Sequence, residues 1–210
     1  MTKIKLCGMS RDEDILAANA LLPDYIGFIL YFEKSRRNVL PETARRLKRL
    51  LSPEIRAVGV FVDAPLDAVA ELLEAGTIDL AQLHGSEDEN YIAALKARTG
   101  SPVVKAFKAT EPEARRRAEE CGADLVLLDS GKGYGISYDF RITKDMKRPY
   151  FLAGGITIEN VADAIRAVRP YAVDISSGIE TDGKKDPEKM AEFVRRVREA
   201  DQKLKGEKEP

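Results

Sequence analysis

The sequence predicts an α/β protein in which eight parallel strands close into a (β/α)8 TIM barrel. Short apolar runs alternate with helical stretches along the whole chain, the pattern of parallel strands joined by crossovers. Eight such units can be counted, where an open doubly wound sheet would more usually show six. A length of 210 residues suits one barrel at the small end of its size range. No domain boundary or low-complexity segment is visible, so residues 1–210 are expected to form a single domain, with a polar tail over about 205–210.

The elements follow in order. Lys3–Cys7 reads as a strand, and Arg11–Leu22 as a helix with Ser10 as its N-cap. Tyr25–Leu30 is a strand, Tyr31–Leu40 a charged loop, and Pro41–Leu51 a helix opened by proline in its first turn. Strands are predicted at Ile55–Val62, Ile78–His84, Val103–Phe107 and Asp124–Asp129. Helices at Pro65–Ala75, Glu87–Arg98 and Glu111–Glu120 separate them. A glycine-rich loop covers Gly131–Phe140, and the weakest helix falls between Arg141 and Lys147. Then come the strand Tyr150–Ala153, a helix from Thr157 to Val168, the strand Ala172–Ser176, and a last helix over Pro187–Leu204.

Composition narrows the function. Net charge is −1 with both signs spread along the chain, and no basic block marks a nucleic-acid partner. No apolar run approaches a membrane span and no leader-like start precedes the first strand, so a cytoplasmic protein is expected. Two cysteines, Cys7 and Cys121, make neither a disulfide framework nor a zinc site. They are expected at opposite faces of the barrel, out of reach of one another. The one histidine is His84.

The most informative stretch runs from Arg148 to Thr181. Two apolar strands there end in small residues, Gly154-Gly155 and Ser176-Ser177-Gly178. Glycine lets a backbone approach a ligand, and a helix expected just beyond would present its N–H groups and positive dipole end. The paired strand ends predict a phosphate held between them by Gly154, Gly155, Ser176, Ser177 and Gly178. Two ordinary glycine-rich turns are the plainer alternative.

Alternation assigns the remaining polar residues. If Ile4 and Leu6 face the helices, Lys5 and Cys7 face the lumen. By the same count Asp129, Asp174, Ser176, Gln82 and His84 point inward near the C-terminal mouth, where barrel active sites lie. Barrel interiors are mostly Val, Ile and Leu, so this polarity is unusual. Each residue has a plainer reading: Lys5 and Asp174 as a buried ion pair, Cys7 as a small hydrophobe, His84 as a cap on the fourth strand. A thiol and a carboxyl at one mouth beside a phosphate cup nevertheless look like a base and an acid. For those roles Asp129 should be raised above the ordinary carboxyl and Cys7 lowered by the charge of Lys5.

These motifs, read in order, carry a family resemblance. Lys5-Leu6-Cys7-Gly8, Ser35-Arg36-Arg37, Gln82-Leu83-His84-Gly85, Leu128-Asp129-Ser130, Leu152-Ala153-Gly154-Gly155 and Val173-Asp174-Ile175-Ser176-Ser177-Gly178-Ile179-Glu180 resemble the phosphoribosylanthranilate isomerases of tryptophan biosynthesis. The resemblance implies an Amadori rearrangement of a phosphoribosyl aminobenzoate, with Cys7 as general base and Asp129 as general acid. It implies that Arg37 binds the substrate carboxylate, that Asp174 contacts substrate, and that no cofactor or metal takes part. Lys5 and His84, inward at the same mouth by alternation, are expected to contact substrate with Asp174. A small phosphorylated substrate is the expected partner, with monomer and homodimer both open. Two departures stand out: Arg36 replaces the family's proline, and the loop Lys132-Gly133-Tyr134-Gly135 only partly keeps its glycines. Indole-glycerol-phosphate synthase, a related barrel, would need strand-end glutamates that are missing here. A barrel that only binds a phosphosugar would need neither Cys7 nor Asp129.

Overall fold

The computed structural model describes residues 1–111, 113–131, 143–144 and 146–206. In chain order its elements are β1 (Lys3–Cys7), α1 (Asp12–Leu21), β2 (Tyr25–Leu30), β3 (Asn38–Val39), α2 (Pro41–Leu50), β4 (Arg56–Phe61), α3 (Leu66–Glu74), β5 (Leu80–Leu83) and α4 (Glu89–Thr99). They continue with β6 (Val103–Lys108), α5 (Ala114–Glu120), β7 (Leu125–Asp129), β8 (Tyr150–Ala153), α6 (Val161–Val168), β9 (Ala172–Ile175), β10 (Glu180–Thr181), β11 (Lys184–Lys185) and α7 (Pro187–Gly206).

Parallel pairing runs from β1 through β2, β4, β5, β6, β7, β8 and β9, and β9 pairs back to β1, so the sheet closes. The eight barrel strands are the eight read from the sequence. The chain adds β3, a two-residue strand on the end of β2, and the antiparallel hairpin β10–β11.

Alternation divides the core into two shells. Ile4, Leu6, Val126, Leu128, Val173 and Ile175 pack outward under the helices. Tyr25, Val58, Leu80, Val104, Leu127, Phe151 and Ala172 fill the lumen. Phe151 meets Tyr25 and Tyr171 edge-on at 5.3 and 5.8 Å, and the two tyrosine hydroxyls lie 3.0 Å apart, closing the floor. The polar lumen residues are left to the other end.

Some boundaries moved. Ser10 is not the N-cap of α1: Arg11 holds that position, and the Asp14 carboxylate reaches back to accept from the N–H groups of Ser10 and Arg11 at 2.9 and 3.1 Å. Regular helix α6 starts at Val161 rather than Thr157. Thr157 and Asn160 pair reciprocally across the intervening turn, with side-chain-to-backbone bonds of 2.8 and 3.3 Å. Helix α7 continues to Gly206, so the expected tail is helical over its first two residues. Residues 207–210, most of the glycine-rich loop after Gly131 and part of the weak helix expected before Lys147 lie outside the described residues.

The two ends of the chain are fastened together. Thr2 donates from its backbone N–H and its hydroxyl to the two carboxylate oxygens of Asp201 on α7, both at 2.7 Å. Arg198 donates to the Thr2 carbonyl at 2.8 Å. Among the described residues no helix is long and apolar enough to cross a membrane.

Candidate active site

The C-terminal strand ends bring the predicted polar residues together in two groups that meet at Asp174. The first begins with Lys5, which is 0% exposed. Its register partner across β1–β9 is Asp174, and its ammonium donates to both carboxylate oxygens at 3.0 Å. Burial pulls the Lys5 ammonium down, but Asp174 and the Cys7 thiol outweigh it and hold the lysine charged. The plainer reading of this pair as a buried ion pair is therefore what the structure has. Lys5 is sealed beneath the mouth, where it meets Asp174 and the Cys7 thiol.

Cys7 ends β1 one strand pleat above Lys5. Burial pushes its thiol up, the Asp174 charge adds to this, and Lys5 and Lys185 only partly offset it. The expectation of a lowered thiol fails because burial outweighs the opposing charge of Lys5. Ser176 turns inward, as alternation requires, and donates from Oγ to the Cys7 carbonyl at 3.1 Å. Ser176 is half-buried, while Ser177 on the next turn is exposed.

The second group surrounds Asp129 at the end of β7. Its Oδ1 accepts the Gly131 N–H at 2.7 Å, and its Oδ2 lies 3.4 Å from His84 Nε2. Behind the ring, the Gln82 amide nitrogen sits 2.9 Å from His84 Nδ1. With that amide donating, a neutral ring carries its proton on Nε2, facing the carboxylate. His84 is thus not a cap on the fourth barrel strand: it joins Gln82 to Asp129. Burial pushes the Asp129 carboxyl up, but the His84 ring and the Gly131 N–H outweigh it and hold it below the usual range. This overturns the expected raised carboxyl, because two donors stabilise the charged form. Asp174 feels the charges of Lys5, His84 and Asp129, so both groups share one mouth.

The candidate phosphate cup lies beside them. Gly154 and Gly155 adopt φ of +74° and +66°, a left-handed pair open to glycine at no steric cost. A Cβ on Gly154 would sit 2.7 Å from the Ser130 nitrogen. A Cβ on Gly178 would sit 3.0 Å from the Ile156 carbonyl, so the loops after β8 and β9 abut as the paired strand ends predict.

Arg37 completes the rim and shows what the sequence reading missed. It lies against Glu180, with Nε 2.6 Å from Oε1 and Nη2 2.8 Å from Oε2. Arg36 reaches the same carboxylate at 2.6 Å. Lys185, buried on β11, donates to Glu180 at 2.7 Å and to the Ser176 carbonyl at 2.9 Å. The signal for this hairpin was Asp182-Gly183, which supplies two adjacent positive φ values of +50° and +77°. A second unpredicted pair, Lys105 and Glu87, ties the loops after β4 and β5 together: Glu87 accepts from the N–H groups of Asp63 and Gly85 at 2.8 and 2.9 Å and from Lys105 at 3.0 Å. Both cysteines are free.

Comparison with known proteins places the whole chain. A sequence model described as N-(5′-phosphoribosyl)anthranilate isomerase matches residues 4–196. The N-(5′-phosphoribosyl)anthranilate isomerase of Endomicrobium trichonymphae is 42% identical over 203 residues, covering 94% of this chain and 99% of that protein. The crystal structure of phosphoribosyl anthranilate isomerase from Thermus thermophilus superposes with a TM-score of 0.83 at 36% identity, covering 94% of this chain and 99% of the other. A phosphoribosyl anthranilate isomerase solved in complex with reduced 1-(o-carboxyphenylamino)-1-deoxyribulose 5-phosphate has a TM-score of 0.83 at 32% identity, covering 95% and 100%. With the barrel and these matches in agreement over nearly its whole length, the chain belongs to the N-(5′-phosphoribosyl)anthranilate isomerase family.

Proposed function

We propose that this isomerase carries out the Amadori rearrangement of N-(5′-phosphoribosyl)anthranilate to 1-(2-carboxyphenylamino)-1-deoxyribulose 5-phosphate with Asp129 as acid and Cys7 as base. The observation that supports the pairing is their common mouth: thiol and carboxylate end the first and sixth barrel strands, linked through Asp174.

Asp129 gives its proton to the furanose ring oxygen as the C1′–O bond breaks. The nitrogen lone pair moves in to form C1′=N, leaving an iminium. That cation acidifies the neighbouring carbon, and the Cys7 thiolate removes the C2′ proton. The C–H electrons form C1′=C2′ and the C=N pair returns to nitrogen. The enolamine then gains a proton at C1′ and loses its C2′ hydroxyl proton, giving the ketone. Every step moves only protons and bonding pairs.

Arg37 takes the ring carboxylate, since its planar fork suits that group. The backbone of Gly155 and of Ser177-Gly178 holds the phosphate. The reading carries a cytoplasmic location and no nucleic-acid or membrane partner. Phosphoribosylanthranilate generated in place is fluorescent, and its loss on adding the enzyme tests the assignment. A loss no faster than the uncatalysed rate would overturn it.

A further inference from the structure

Around Glu180 the described residues gather more positive than negative charge. Arg36, Arg37 and Lys185 all donate to its single carboxylate. Two positive charges in the cluster are therefore left over, and a second carboxylate would match one of them. The three cations are not equivalent. Lys185 has 2% of its side chain exposed and spends its donors inside the protein, on Glu180 and on the Ser176 carbonyl. Arg36 is 61% exposed and lies over the hairpin turn, 3.1 Å from where a Cβ on Gly183 would sit. Arg37 is 20% exposed and packs toward the mouth, its Cδ 2.6 Å from the place of a Cβ on Gly8.

The geometry of the Arg37 contact is selective. Glu180 takes the edge formed by Nε and Nη2. A guanidinium has five N–H donors, so the end-on pair formed by Nη1 and the outer Nη2 hydrogen is left over among the described residues. An arginine gripped along one edge and offering the other is already oriented for a planar anion. Glu180 is itself fixed: it faces Lys185 across β10–β11, and Arg11 donates to the Lys185 carbonyl at 3.0 Å. Burial raises the Glu180 carboxyl, but Arg37 and Lys185 bring it down to about 2, so the clamp is charged at any working pH.

We propose that Glu180, anchored by Lys185 on the hairpin, is a positioning residue that sets Arg37 for the carboxylate of the substrate and so makes the site selective for a carboxylated ring. This rests on the role of Arg37 given above. Glu180 touches no reacting atom. Its loss weakens recognition of the carboxylate and leaves the phosphosugar half of the substrate recognised as before.

The test compares two inhibitors, reduced 1-(o-carboxyphenylamino)-1-deoxyribulose 5-phosphate and the same compound without its ring carboxylate. Glu180→Gln keeps the shape and removes the charge. It is expected to weaken the carboxylated inhibitor about tenfold or more, the scale of one charged hydrogen bond, and the other inhibitor less than about twofold. KM should rise in step while kcat changes less. Glu180→Asp, which keeps the charge but withdraws it by one methylene, is read the same way and replaces Glu180→Gln if that variant does not fold. Equal weakening of both inhibitors, or of neither, overturns the proposal. Arg37→Ala separates the two claims. If it weakens the carboxylated inhibitor selectively and neither Glu180 variant does, the positioning role alone is wrong. If it too shows no selectivity, the assignment of Arg37 fails first.

Discussion

At neutral pH the free enzyme holds a proton on Cys7 and none on Asp129, since burial raises the thiol and the His84 and Gly131 donors hold the carboxyl low. The proposed chemistry needs the reverse, a protonated Asp129 and a thiolate. Both arrangements carry one proton, so the reactive one is a fixed fraction of the total between the two titrations. The profile of kcat/KM against pH should therefore be a broad plateau. Its acid limb should lie below the ordinary Asp value of about 3.9 and its basic limb above the ordinary thiol value of about 8.5. Replacing His84 with Ala removes a donor that favours the charged carboxylate, so the acid limb should move to higher pH. A limb that stays put would show that Asp129 does not set it. Cys7→Ser and Asp129→Asn should each lower turnover by about 10²- to 10⁴-fold at an unchanged thermal midpoint. Near-native turnover in either folded variant would remove that residue from the mechanism. For the arginines, exposure favours Arg37 over Arg36 as the substrate ligand, so Arg37→Ala should raise KM much more than Arg36→Ala. The opposite order, read from steady-state kinetics, would shift the role to Arg36.

Among the elements, β8 and the glycine pair after it are the part of the site most directly readable from sequence. Gly154-Gly155 needs positive φ, and nothing but glycine takes that conformation twice in succession without strain. Gly155→Val should raise KM for the phosphorylated substrate and leave kcat less affected. An unchanged KM in the folded variant would rule out backbone contact with phosphate there. Strand alternation placed Lys5, Cys7, Asp129, Asp174 and Ser176 on the correct face, because a closed barrel allows only two. It could not say which charges spend themselves on one another. Whether Lys5 lowers Cys7 or serves Asp174 depends on register between β1 and β9, strands 169 residues apart in sequence. The same limit hid the Arg37–Glu180 clamp. The hairpin that carries Glu180 was signalled by Asp182-Gly183, but its two-residue strands are too short to show alternation.

For the whole molecule, the ion pair of Lys5 and Asp174 lies at the seam where the first strand meets the last. Breaking a buried pair by removing one partner leaves an uncompensated charge and costs about 3–5 kcal/mol. Lys5→Met should therefore lower the thermal midpoint by on the order of 10 °C for a domain of this size. A midpoint within about 2 °C of the parent would show that the seam does not depend on the pair.

The grip of Asp201 on Thr2 has a different consequence, for chain connectivity. From Asp201 to the end of α7 at Gly206 is about 7.5 Å of helix, so Thr2 and the last turn of α7 lie close together. They do so beside the start of β1, on the face opposite the strand ends that carry the chemistry. The order in which the polypeptide visits the barrel is thus separable from the barrel itself. A linker could join the present ends, and new ones could be opened at Gly100, a left-handed helix terminus with open space where a Cβ would sit. Such a circular permutant should keep parental turnover with a lower thermal midpoint. The same operation at Gly155 should abolish turnover. A Gly100 permutant that folds but is inactive would mean that the site depends on where the chain begins, and not only on the closed ring of strands.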